Sequence, residues 1–390
     1  MRATIILILT VIAVQCISIS GFAETAKYWS DKGNASFDNG SFEDAVTYYD
    51  NALQIDPQFK DIWYNKGNAL FSLGRLNDSL KAYDRVIQLD PKSAIALNNE
   101  GWIFYIQGDY ANAIALYDRA TMQDPGFALA WDNKGYALAD LGKYDDAVKA
   151  YDKAVELNPK YADAWINRGH ALRDMGDYNE SLRSYDRSLE IDPANPMAWN
   201  SKGWVLYLMG SYSDAVNAYD RATELSPGFS LAWNNKGIAL ASMGRLNESL
   251  SCYDEASKQD PTFAWPWNNK GLALASMGRY EEAVSSYDRA TEIEPKYAKA
   301  WNNKAIVLQA LHRDAEAKAA YAKASELGLN INAAINATAG ADRNASSAKA
   351  NQPVAEKKKS PLPYAGTVSI ISLLAASRIL KSNRRRSGRN

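Results

Sequence analysis

The chain has 390 residues, 47% of them hydrophobic and 23% charged, with a formal net charge of -1. That is ample apolar material for a folded body, and it excludes a disordered or fibrous chain. The charge is unevenly spread: of 44 basic and 45 acidic residues, 11 basic and two acidic lie in 330–390 and one of each in 1–25. Residues 26–329 are therefore acidic by about ten charges, which argues against nucleic acid as a partner, since phosphate binding rests on a basic surface.

At the start, Met1-Arg2 precedes an apolar run from Ala3 to Val14, and Gly21-Phe22-Ala23 offers small residues where a signal peptidase reads. The pattern predicts a signal peptide over 1–23, with an uncleaved anchor helix as the alternative; either puts the following domain outside. Cys16 belongs to that segment and leaves Cys252 alone, so no intrachain disulfide framework is encoded.

From Trp29 to Trp301 one phrase returns nine times at steps of 34 residues, as Trp-Asn-Asn-Lys-Gly at 233–237 and 267–271 and with variants elsewhere. With Ser230–Phe263 as the type, each repeat holds two apolar periodicities of helical spacing. Gly at position 15 (Gly40 through Gly278) supplies a left-handed terminator, and Pro at position 32 (Pro57 through Pro295) stops the second helix. Each repeat therefore reads as helix A, turn, helix B, and the chain as all-α. On a wheel, positions 4, 8 and 11 share a buried seam. Gly at 8 lets helix B approach through the small residue at 20, while Trp at 4 and Tyr at 24 fill the remaining space.

Trp at 4, Gly at 8 and 15, Ala or Ser at 20, Tyr at 24, Ala at 27 and Pro at 32 resemble the tetratricopeptide repeat, in nine copies over 26–329. The resemblance implies a TPR solenoid, a right-handed superhelix whose A helices line a concave groove. This chain departs from the family at position 7, where Lys32, Lys66, Lys134, Lys202, Lys236, Lys270 and Lys304 replace Leu and read as solvated edge charges. The third repeat has Leu97 for Trp. The ninth carries Ala305, His312 and Leu329 for Gly, Gly and Pro, and reads as a C-terminal cap.

Position 6 falls on the groove side and is Asn65, Asn99, Asn133, Asn167, Asn235, Asn269 and Asn303. An Asn amide both donates and accepts, so it can hold the backbone of an extended peptide without reading its side chains. The run is similar to the Asn ladder of the O-linked N-acetylglucosamine transferases; solvation of the groove is the alternative reading. A clamp for C-terminal carboxylates would need Lys at position 5, where none stands. Trp102, Tyr105, Tyr136, Trp204 and Tyr207, with Phe71 and Trp265, occupy positions 2, 9 and 12, as peptide anchors or as rings packed sideways between A helices.

After the repeats, 330–361 is rich in Ala, Asn, Ser and Lys and reads as a flexible stalk. Residues 362–380 read as a C-terminal transmembrane segment and 381–390 as a basic cytoplasmic tail, although the uncharged run after Pro363 is only about 14 residues, short of the ~20 a crossing helix needs. Sequons stand at Asn34, Asn39, Asn77, Asn179, Asn247, Asn336 and Asn344, with the last two, in the stalk, the expected first acceptors. No phosphate loop, nucleophile elbow, metal-ligand spacing or cofactor fingerprint occurs, so the expectation is no enzyme and no cofactor. The predicted function is a membrane-tethered, outward-facing scaffold that binds extended peptide segments of other proteins. The alternative is a structural envelope component associating with itself or with glycan.

Overall fold

The computed structural model describes residues 25–329. The signal segment, the stalk with Asn336 and Asn344, the apolar C-terminal segment and the basic tail lie outside the described residues. Among those described are 18 α-helices and no strand, two helices to each repeat. In chain order they are α1 (Ala26–Asp38), α2 (Phe42–Ile55), α3 (Lys60–Ser72), α4 (Leu76–Leu89), α5 (Ala94–Ile106), α6 (Tyr110–Gln123), α7 (Ala128–Asp140), α8 (Tyr144–Leu157) and α9 (Ala162–Met175). There follow α10 (Tyr178–Ile191), α11 (Pro196–Leu208), α12 (Tyr212–Leu225), α13 (Ser230–Ser242), α14 (Leu246–Gln259), α15 (Ala264–Ser276), α16 (Tyr280–Ile293), α17 (Ala298–Ala310) and α18 (Asp314–Glu326). Odd-numbered helices are A helices and even-numbered ones B helices. The chain divides between Leu141 and Gly142 into two compact units, the first holding α1–α7 and the second α8–α18.

The helix ends follow from residue chemistry. All eight glycines at position 15 have φ between 71° and 89°, the left-handed region closed to most side chains. Beyond the glycine, the next N–H returns to the position-11 carbonyl, as Arg75 does to Leu70 at 2.9 Å. His312 takes the glycine's place in the ninth repeat and is held at φ 57°, the one non-glycine at positive φ among the described residues. Six of the nine B helices end on an Asp or Asn before the proline. Its carboxylate or amide oxygen accepts the N–H two residues on, as Asp56 does from Gln58 at 3.0 Å and Asp192 from Ala194 at 3.1 Å.

Eight tyrosines at position 24, from Tyr49 to Tyr287, are at most 2% exposed and form the centre of the core. The position-8 glycine gives them room: a Cβ at Gly237 would lie 2.5 Å from Tyr253 Cε1, and one at Gly203 would lie 2.8 Å from Tyr219 Cε1. Position 20 meets the same glycine through its backbone, since the hydroxyls of Ser79 and Ser181 donate to the carbonyls of Gly67 and Gly169 at 2.7 Å. The glycine thus serves the tyrosine ring first and the helix approach second. The ninth repeat shows the converse. Ala305 is fully buried where glycine stands elsewhere, and its tyrosine, Tyr321, is only half-buried.

The tryptophans at position 4 are half-buried rather than sealed in the seam with the tyrosines of position 24. Six indoles donate to the carbonyl of the preceding proline, among them Trp63 to Pro57 and Trp233 to Pro227, both at 2.9 Å. The ring therefore clips helix A to the turn that precedes it. The lysines at position 7 are corrected as well. Lys66, Lys236, Lys270 and Lys304 each lie 2.5 Å from an Asp at position 25 of the preceding repeat, and Lys134 and Lys202 at 2.6 Å. Each ammonium also sits 5.1–5.4 Å from the centroid of its own repeat's Trp ring. Such a charge, paired to an acid and laid over an aromatic face, joins repeats instead of merely solvating an edge.

Candidate functional site

Positions 2, 5, 6, 9, 12 and 13 fall on one side of each A helix, and positions 9 and 12 reach the B helix of the same repeat as well, as Asn34 does Tyr49 and Tyr105 does Tyr110. In the first unit this face holds the network of Asn65, Asn99 and Asn133. Asn65 Nδ2 donates to Asn34 Oδ1 at 2.9 Å, and the same oxygen accepts from the Tyr49 hydroxyl at 2.9 Å. Asn99 Nδ2 donates more loosely, to the Tyr64 hydroxyl at 3.3 Å and to Asn68 Oδ1 at 3.5 Å. Asn133 Nδ2 donates to Asn98 Oδ1 at 2.9 Å.

The second unit repeats the pattern with more regularity. Asn235 donates to Asn200 at 3.0 Å, Asn269 to Asn234 and Asn303 to Asn268 at 2.9 Å, while Asn234 and Asn268 each donate back to the next residue's oxygen at 3.3 Å. Asn167 is buried and also bonded. Asn99, Asn133, Asn167 and Asn235 are at most 8% exposed, and Asn65, Asn269 and Asn303 are half-buried. A chain of amides thus runs from position 6 of one repeat to position 5 or 9 of the one before. The position-5 and position-9 acceptors escaped the sequence reading, though the doubled Asn of the phrase carried them: one Asn of each pair donates backward and the other accepts forward.

The aromatics pack against one another. Trp102 stacks on Tyr105 with centroids 4.9 Å apart, and Tyr105 lies 6.3 Å from Tyr136 and donates its hydroxyl to Asp140 at 2.7 Å. Trp204 stacks on Tyr207 at 5.3 Å, and Tyr207 accepts from the Ser242 hydroxyl at 3.4 Å. Trp102 and Tyr207 are 9% exposed, while Tyr136 and Trp204 are half-buried. Trp265 differs, with half its surface open.

Across repeats six to eight, the six positions of this face contain no Asp, Glu, Lys, Arg or His. They present Met197, Trp204, Leu231, Ile238, Trp265 and Leu272, all half-buried or exposed, with Leu208 exposed at the edge. Repeat five instead carries Asp163, His170, Arg173 and Asp174 on the same positions. His170 is half-buried, and its pKa is lowered to about 3 by desolvation and by Arg173, so it stays neutral; its Nε2 lies 3.0 Å from the Ser201 hydroxyl. Burial raises the Cys252 thiol to about 11, which removes nucleophilic character at neutral pH. Among the described residues no three His, Cys, Asp or Glu side chains gather in a way that could hold a metal ion.

The tyrosine hydroxyls divide the core into satisfied and unsatisfied repeats. Tyr83 donates to Asn68 Oδ1 at 2.6 Å, whereas the buried hydroxyls of Tyr117 and Tyr219 have no hydrogen-bond partner among the described residues. A buried orphan hydroxyl carries a desolvation cost of about 1–3 kcal/mol. Tyr219→Phe should therefore hold or raise the melting temperature, and Tyr83→Phe should lower stability by about 1 kcal/mol, as thermal denaturation of the two variants would read.

Tetratricopeptide repeat models match residues 33–126, 135–195, 198–229 and 237–319 between them, well over half of the chain. No curated protein matches it. A tetratricopeptide repeat protein from Parabacteroides merdae is 15% identical, with a TM-score of 0.52 over 64% of this chain and 98% of that one. The Cut9–Hcn1 hetero-tetramer of the APC/C is 18% identical with a TM-score of 0.51, over 75% of this chain and 57% of that one. The MamA protein is 24% identical, with a TM-score of 0.41, over 44% of this chain and 94% of that one. At such identities the likeness is one of fold. With paired helices on a 34-residue period and family models along most of its length, the chain belongs to the tetratricopeptide repeat family.

Proposed function

We propose that the protein is a non-enzymatic scaffold that binds segments of other proteins along the open face of its A helices. The observation that carries this reading is the uncharged apolar stretch of repeats six to eight, in which Trp265 is half exposed and Leu208 is exposed at the end of its helix. Uncharged apolar surface open to water is stabilised by covering it, at roughly 25 cal/mol per Å². The half-buried Asn269 and Asn303 keep a second amide hydrogen each, which can donate to a bound backbone, while the fully buried Asn residues serve the interface between repeats. Leu231→Glu should abolish co-purification of bound protein while leaving the melt within about 0.5 kcal/mol of the parent, as befits a half-buried surface position. Unchanged co-purification would refute the site.

The same reading places the repeats outside the cytoplasmic membrane, held by the C-terminal segment. It rests on the apolar runs at both ends of the sequence and on the Arg cluster after the second. Among the described residues no helix is long and apolar enough to cross a membrane, so the anchor of this proposal lies beyond them. Protease added to intact cells should degrade the repeats; full protection of 26–329 would contradict the location.

A further inference from the structure

Of the eight junctions between successive repeats, seven carry a cation at position 7 bonded to an Asp at position 25 of the repeat before, with Arg168 taking the lysine's part against Asp152 at 2.6 Å. The junction of repeats two and three has Glu100 at position 7, opposite Asp84, a second acid. Leu97 replaces Trp there, so the cation–π contact and the indole bond to a proline carbonyl are missing too. The amide network also slackens: the Asn99 bonds span 3.3–3.5 Å, against 2.9–3.0 Å at five other junctions. Three kinds of contact that fasten most of the other junctions are thus absent or loose together at this one, and Glu100, 9% exposed, stands in the gap.

The charges around Glu100 are mixed. Helix α4 brings Asp84, which repels the Glu100 carboxylate, and α6 brings Arg119, which attracts it. Helix α7 brings Lys134, already bonded to Asp118, and Asp132, whose charge bears on Tyr117. We propose that the α4–α5 junction is a pH-operated joint, closed while Glu100 is protonated and loosened when Glu100 ionises against Asp84. Burial first and Asp84 second raise its pKa to about 7, so the titration falls near neutrality. The sign follows from proton linkage: an acid whose folded pKa lies above its unfolded one contributes stability that is full at low pH and is lost as pH rises through the folded value. The loss therefore runs upward from about pH 4.5 through about pH 7.

Hydrogen exchange on the full chain, read in peptides from α4 and α5 and corrected for the intrinsic pH dependence of exchange, tests the joint. Between pH 5.5 and 8.0 the parent should lose protection there on the order of tenfold. The α12–α13 junction, closed by Lys236 and Asp220, should hold its protection. Glu100→Gln should flatten the pH dependence, and Glu100→Lys, which restores the rung, should raise protection at pH 8.0. Should a Glu100 variant fold poorly, Asp84→Asn supplies the second arm, because removing the repelling partner should reduce the loss in an otherwise native core. Equal protection of both junctions at both pH values, or an unchanged pH dependence in Glu100→Gln and Asp84→Asn, would overturn the proposal.

Discussion

Tyr253→Ala should lower stability by about 3–5 kcal/mol, among the largest effects of any single change in the repeats. The ring is 2% exposed and fills the space that Gly237 leaves open, so truncation opens a cavity between two helices with little freedom to collapse. The reciprocal change, Gly237→Ala, sets a Cβ 2.5 Å from Tyr253 Cε1, and such overpacking costs about 1–3 kcal/mol, less whatever helix propensity the alanine returns. Ala305 and Tyr321 in the ninth repeat show the outcome the chain itself reaches, with the methyl inside and the ring half out. Urea denaturation should find Gly237→Ala and Tyr253→Ala non-additive, since both disturb one contact; full additivity would show that ring and glycine do not act together.

Asn235→Ala should cost about 2–3 kcal/mol, in contrast to what a ligand-gripping groove residue would show. The change leaves Asn200 Oδ1 without its 3.0 Å donor and Asn234 Nδ2 without its 3.3 Å acceptor, both within side chains at most 8% exposed. Two buried polar groups then lose their partners at once. Asn269→Ala, at a half-buried site, should cost less. Calorimetric melts of the two variants check the order, and a stable Asn235→Ala would mean that the inter-repeat network contributes little.

How far the sequence revealed this molecule depends on what each residue touches. The 34-residue period, the glycines at position 15 and the prolines at position 32 are local signals, and they predicted the helix pairs and their ends. Gly237 and Tyr253 stand in one repeat, 16 residues apart, so their meeting was within reach of a helical wheel. Lys236 and Asp220 stand in different repeats, as do Asn235 and Asn200. A wheel drawn for one repeat shows such residues facing outward, and only the neighbour makes them interior. That is why the lysines read as solvated edges, and why the bonds of Asn235 to the repeat before it were not legible. Glu100 departs from the phrase within its own repeat, yet its meaning depends on Asp84 across the junction. The open apolar face of repeats six to eight was partly legible, in Trp204 and Trp265, but which rings remain uncovered depends on packing that spacing alone does not give.

The central claim, that the A-helix face of repeats six to eight is where other proteins bind, is tested most directly by a photo-reactive side chain placed at Trp265 of the full-length protein in intact cells, with the same group at exposed Lys258 on helix α14 as the comparison. The account expects a discrete adduct from position 265 that Leu231→Glu removes, and none from position 258. Adducts from position 258 alone, or an adduct from 265 that Leu231→Glu leaves undiminished, would contradict it.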